Sequence, residues 1–221
     1  MADWATISSL ATAGGTLALA GATYASVRSA NRSARVAEVA LQEQRRPVLV
    51  QSRDDDRGQT IGFADNRWVN VPGGGAAVEV TPAAVYLALS LRNVGAGLAV
   101  MQAWRAHSVA GDESQSDTAW RESVSSGGPP GLEEFRPLTR DQYIPGGDVG
   151  VWQGALRDPD DPLHATLMAA TAQRRRFLVD LLYTDQVGGQ RTISRFGVLP
   201  GDDGWIAAAA RHWYLDAPAP R

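Results

Sequence analysis

From Trp4 to Val27 the chain carries no charge and no proline. At about 1.5 Å per helical residue, that stretch is long enough to cross a hydrocarbon core of about 30 Å. Its large aliphatics are sparse, with Ile7, Leu10, Leu17, Leu19 and Val27 set among Ala, Gly, Ser and Thr. Trp4 and Tyr24 stand where the two interfacial aromatic belts of a spanning helix would lie. Asp3 precedes the stretch, so the positive start of a cleaved signal peptide is missing. Arg28, Arg32, Arg35, Arg45 and Arg46 follow it, and the positive-inside bias then puts the C-terminal side in the cytoplasm. The expectation is a single-pass anchor over residues 1–27, with residues 4–27 in the bilayer of the cell membrane.

Helical spacing continues to Pro47, whose ring forbids further helix, so the helix should stop near Gln44 or Arg45. Residues 28–46 thus read as a juxtamembrane helical stalk. Gly14, Ala18, Ala22 and Ser26 form a ridge of small residues that lets helix backbones approach in a bilayer. Val27, Ala30, Ala34, Ala37 and Leu41 follow the 3-4 spacing of a short coiled-coil seam. A seam this poor in large residues serves a homodimer through the helix, or a stalk resting on its own domain, equally well.

After Pro47 the pattern changes to short branched and aromatic runs punctuated by Gly and Pro, which predicts strands and turns over a domain at 47–221. Strands are expected at Pro47–Gln51, Thr60–Ala64, Trp68–Val71, Ala84–Val94, Leu98–Ser108, Phe135–Leu138, Gly150–Ala155, Phe177–Thr184, Arg191–Leu199 and Trp205–Leu215. Within Ala84–Val94, Val85, Leu87, Leu89 and Leu91 alternate with Tyr86, Ala88, Ser90 and Arg92, a period of two. Pro162–Gln173 is the one internal helix expected, with Pro162 suited to its first turn. Gly111–Gly131 reads as a polar surface loop. This order, strand-rich with one helix, fits a mainly β sandwich better than alternating βαβ units.

The formal charge of −3 gives no reason to expect a nucleic-acid partner. All 21 basic residues are arginine. The absence of cysteine removes disulfides, thiolate metal sites and a cysteine nucleophile together.

Arg92-Asn93-Val94-Gly95-Ala96-Gly97-Leu98-Ala99 is the most distinctive stretch. A dinucleotide-binding turn would need a third small residue where Val100 stands, and a capped helix after it. The reading preferred is a bend between two strands, with Gly95 and Gly97 supplying unusual backbone angles. This stretch, following an apolar helix and an Arg/Glu-containing stalk, resembles a loose group of uncharacterised bacterial membrane-anchored proteins. The resemblance covers the anchor, Ala84–Trp104 and, less closely, Arg211–Asp216. It implies an immunoglobulin-like β-sandwich with the Asn-x-Gly-x-Gly-x-Ala segment as a turn between core strands, and it implies no activity.

The remaining candidates point to structure rather than chemistry. His107, His164 and His212 lack paired ligand spacing. Asp54-Asp55-Asp56 and Asp158-Pro159-Asp160-Asp161 do not follow the calcium-loop order and read as solvated acidic loops. Arg174-Arg175-Arg176 suits a helix end, and Trp104, Trp152 and Trp213 suit core packing. No Gly-x-Ser-x-Gly elbow is present. No catalytic, cofactor-binding or metal-ligating residue is assigned. The expected function is a membrane-tethered, non-enzymatic interaction or scaffold module for an unknown protein partner. The alternatives are a hydrolase-type enzyme whose site forms only in three dimensions, and a soluble protein whose Ala-rich helix packs on its own domain.

Overall fold

The computed structural model describes residues 3–108, 117–125 and 127–216. The chain divides into two units, Met1–Glu43 and Gln44–Arg221. The first consists of helix α1 (Trp4–Gln44), which ends where Pro47 requires it to. Alanine loses little on entering a helix, and threonine hydroxyls, which otherwise compete with it, are satisfied inside this one. Thr12, Thr16 and Thr23 each donate to the carbonyl four residues back, at 2.9, 2.9 and 2.8 Å. Leu10, Leu17, Leu19, Tyr24 and Val27 are exposed. The side chains of Trp4 and Ile7 lie outside the described residues. Among those residues no helix is long and apolar enough to cross a membrane, because small and hydroxylated residues dilute the few large aliphatics.

The second unit is mainly β and sandwich-like. Its strands are β1 (Leu49–Gln51), β2 (Gln59–Gly62), β3 (Trp68–Val71), β4 (Gly75–Val80), β5 (Val85–Asn93), β6 (Ala99–Ser108), β7 (Arg136–Pro137), β8 (Tyr143–Ile144), β9 (Val149–Leu156), β10 (Phe177–Thr184), β11 (Thr192–Gly201) and β12 (Gly204–Tyr214). Helix α2 (Asp117–Ser125) follows β6, and α3 (Pro162–Ala172) follows β9. All pairings are antiparallel. Strand β5 pairs β9 along one edge, and β4 then β1 along the other. Strands β12, β11, β10 and β6 follow in order, joined to β4 at Trp205 and Ile206, and β7 and β8 both pair β6. The β2–β3 hairpin forms a separate small sheet.

The period of two in β5 sets its packing. Leu87, Leu89 and Leu91 enter the main core with Phe177, Val179 and Leu181 of β10, while Tyr86 and Ala88 face the opposite way onto Phe63, Val69 and Val71. Trp104 and Trp152 meet edge to face at 5.4 Å inside the main core, as core packing of those residues requires. Helix α3 is capped by Asp161, whose carboxylate accepts from the Leu163 N–H at 2.9 Å, with Pro162 at its first position. It lowers Leu167 and Ala170 into the core.

The structure departs from the expectations in three places. Gly75–Val80 is a strand where none was expected, and Tyr143–Ile144 forms a short one. Within Gly111–Gly131, residues 111–116 and 126 lie outside the described residues, and Asp117–Ser125 is helix rather than loop. Its own apolar content does not explain that helix; its contacts with arginines of the sheet do, as set out below.

Candidate functional site

Two buried polar centres organise the second unit. The first is Asn93, fully buried at the end of β5. Its side-chain carbonyl accepts from the N–H groups of Val48 (3.1 Å) and Gly95 (3.0 Å). Its amide donates to the carbonyls of Gly97 (2.7 Å) and Ile144 (3.0 Å). One neutral side chain therefore satisfies backbone groups from the segment following α1, the bend after β5 and the end of β8. Gly95 and Gly97 complete the centre, but not through unusual angles, since neither has a positive φ. A Cβ at Gly95 would stand 2.6 Å from the Val48 nitrogen and 2.9 Å from the Pro47 carbonyl carbon. A Cβ at Gly97 would overlap the Arg45 carbonyl. The glycines are required by the close approach of Arg45–Val48, which corrects the backbone-angle argument for the same residues.

The second centre is Asp180 on β10, also fully buried. Its carboxylate accepts from Arg195 Nε (2.8 Å) and Nη2 (2.9 Å) and from Arg105 Nε (2.7 Å). Arg105 also pairs with Glu134. The free end of Arg195, Nη1, donates to the Ser123 carbonyl of α2 at 2.8 Å, and Arg211 donates to the Ser125 carbonyl. Both guanidiniums lie over the Trp213 ring, Arg195 at 4.8 Å and Arg211 at 5.3 Å from its centroid. Arg176 bonds Asp117 at 2.9 Å and lies 5.1 Å from the Trp120 ring. A Cβ at Gly197 would come within 2.9 Å of that ring, so glycine makes room for it.

The other sequence candidates fall around these centres. His107 lines a pocket of about 260 Å³ with Arg105, Glu134, Arg136 and Asp161. Burial holds its pKa down at about 4, so the ring is neutral near neutral pH. Arg136 pairs with Asp161 through both terminal nitrogens and keeps that carboxyl below its ordinary range. His164 is buried on α3. His212 Nδ1 lies 2.7 Å from Ser194 Oγ, which lies 2.8 Å from the Tyr183 hydroxyl. Burial lowers the pKa of His212 and raises that of Tyr183 to about 12. Ser194 is fully buried, so this serine–histidine pair presents no accessible nucleophile. Asp56 bonds the Arg53 N–H and Arg92, and Asp158 bonds the Asp160 N–H, so both acidic loops spend carboxylates on their own turns. Among the described residues no group of three or more metal-ligating side chains is assembled. Arg174 meets the Gly201 carbonyl and the Trp205 ring.

A groove of about 630 Å³ runs between the Gly73–Gly75 turn and the turn joining β11 to β12. Asp54, Glu79, Asp202 and Asp203 line it, and among the described residues no serine or histidine does. Sequence reasoning quoted the Asn93 segment but could not see its partners, and it did not single out Asp180, Arg105 or Arg195. The signal available for the latter was a lone aspartate inside the apolar run Phe177–Thr184. A charge there must be paired if it is buried. No protein-family model, no curated protein and no solved structure matches this chain.

Proposed function

We propose that the protein is a tethered, non-enzymatic interaction module, an immunoglobulin-like β-sandwich carried on helix α1. The observation that carries this reading is the centre at Asn93. The buried Asn93 side chain bonds Val48, and the glycines it also bonds, Gly95 and Gly97, pack against Arg45–Val48, the first residues after α1 ends. A fold that commits its buried amide to its point of attachment is built to be held there. The immunoglobulin-like assignment is supported by the all-antiparallel strands, whose Trp104 on β6 and Trp152 on β9 meet in the core, and by the resemblance to bacterial membrane-anchored proteins.

In this reading the tether is the bilayer, entered by residues 4–27 with the domain on the cytoplasmic side. The self-satisfied hydroxyls of Thr12, Thr16 and Thr23 support it, because an unbonded hydroxyl is costly in lipid. The Gly14, Ala18, Ala22 and Ser26 ridge supports close packing of two copies, which offsets the modest apolarity of the segment. The partner is a protein rather than a nucleic acid, consistent with the net charge of −3. A second reading is favoured by that same modest apolarity: a soluble protein whose helix packs on its own domain. Among the described residues the hydrolase alternative draws on the Ser194–His212 pair, and its serine is buried.

Membrane fractionation separates these readings. Full-length protein should pellet with membranes and resist an alkaline carbonate wash, and a chain lacking residues 1–27 should move to the soluble fraction with its cooperative unfolding intact. Full-length protein that is soluble without detergent overturns the tether.

A further inference from the structure

We propose that the sheet face formed by Arg176, Arg195, Gly197, Arg211 and Trp213 is a docking surface for a short acidic helix bearing one aromatic anchor, and that α2 occupies it in cis. This names the partner class of the interaction module and so rests on that reading, but not on the membrane tether.

The two sides of the α2 contact are unequal. On the sheet side, Asp180 fixes Arg195 through two bonds of 2.8 and 2.9 Å, leaving Nη1 aimed outward, and Trp213 supports Arg195 and Arg211 from within the fold. The groups that orient Arg195, Asp180 of β10 and Trp213 of β12, both lie outside α2. On the other side, α2 has no buried residue. Its nine residues are too few to form a stable helix in isolation. Its ties are those of a bound peptide. Asp117 at its first turn meets Arg176, its last carbonyls at Ser123 and Ser125 meet Arg195 and Arg211, and Trp120 fills the space left by Gly197.

The chemistry matches a helix end for end. Carbonyls at a helix C-terminus carry partial negative charge and attract guanidiniums, while an acid suits the first turn. An aromatic anchor in a slot, with polar contacts around it, is the usual distribution at a recognition surface. A segment held in cis faces its site at an effective concentration in the millimolar range. It therefore excludes a free peptide of the same sequence unless its anchor is removed.

The test uses the full chain and a fluorescein-labelled synthetic peptide of residues 117–125, read by fluorescence anisotropy. Trp120→Ala should free the surface, so that chain should bind the peptide at least tenfold more tightly than wild type does. Adding Arg211→Glu should remove that gain, and a peptide with alanine in place of its tryptophan should not bind. Hydrogen exchange keeps the outcome interpretable: in the Trp120→Ala chain, protection should fall over 117–125 and persist over β10 and β11. Equal binding by the two chains, no binding by a Trp120→Ala chain with β10 still protected, or loss of protection throughout β10 and β11 each overturns the proposal. The last result would make α2 part of the core. None of these results bears on whether residues 1–27 pellet with membranes, so the docking surface and the tether fail separately.

Discussion

Asn93 and Asp180 are both fully buried polar hubs on strands, yet they do opposite work. Asn93 is neutral and bonds four backbone groups, so it fixes where the chain runs. Asp180 is a carboxylate bonding two guanidiniums, so it fixes where side chains point and leaves one end of Arg195 available to α2. A neutral hub costs little to bury once its bonds are made, whereas a charged one is stable only while its partners stay in place. The comparison teaches that this domain uses an amide to place backbone segments, Val48 among them, and a charge to orient the arginines that meet α2.

The sharpest way to break the comparison is Asp180→Ala. It strands Arg105 and Arg195 against each other beneath α2, with Glu134 the remaining acid on Arg105. Removing one partner from a buried ionic network costs about 3–5 kcal/mol. The variant should lose that much stability in chemical denaturation, and a joint replacement of the three residues by apolar ones of similar volume should recover most of it. A loss below about 1 kcal/mol would mean that water reaches the arginines and that the hub is not a buried charge.

The two hubs also differ in how far they could be read from the chain. Asn93 belongs to a local run, and the glycines two and four residues on announce a tight structural role. The nature of that role was hidden, because what approaches those glycines is Arg45–Val48, a segment whose Val48 lies 45 residues before Asn93. Asp180 lies 75 residues from Arg105 and 15 from Arg195, and no local pattern links them. Phe177–Thr184, legible from its apolar run, matches residue for residue, and so do the bounds of Trp68–Val71, whose pattern is weaker. Helix α3 was legible from Pro162 and its apolar spacing. Strand β4 and helix α2 were not, since β4 begins with a glycine of a turn and α2 is held by arginines distant in sequence.

A smaller effect is expected at the neutral hub. Asn93→Ala would leave four backbone groups without their partner, and part of that loss is recovered by water at the rim of the junction; about 2–4 kcal/mol is expected. Gly97→Ala should cost about 1–3 kcal/mol by overpacking against the Arg45 carbonyl. The two substitutions attack one contact, so the double variant should lose less than the sum of the singles. Additive losses measured in a thermodynamic cycle would show that the glycine and the asparagine secure different segments.

The smallest effect expected concerns protons at the charged hub. His107 lies within the fields of Asp180, Arg105, Arg195 and Glu134, and burial lowers its pKa from 6.5 to about 4. The unfolded chain therefore binds a proton at this ring more readily than the folded one, and stability rises with pH wherever that difference holds. The contribution is fully present above about pH 6.5, is lost as pH falls, and levels off below about pH 4. Between pH 6.5 and 5, above the range in which carboxylates titrate, it should amount to about 1–2 kcal/mol. His212, whose pKa burial also lowers, adds a slope of the same sign. Urea unfolding of wild type and of His107→Gln at half-unit steps of pH checks this: the variant should keep only the part due to His212. If the two slopes coincide, the ring is hydrated in the folded state and the pocket beside the Asp180 network is open to water.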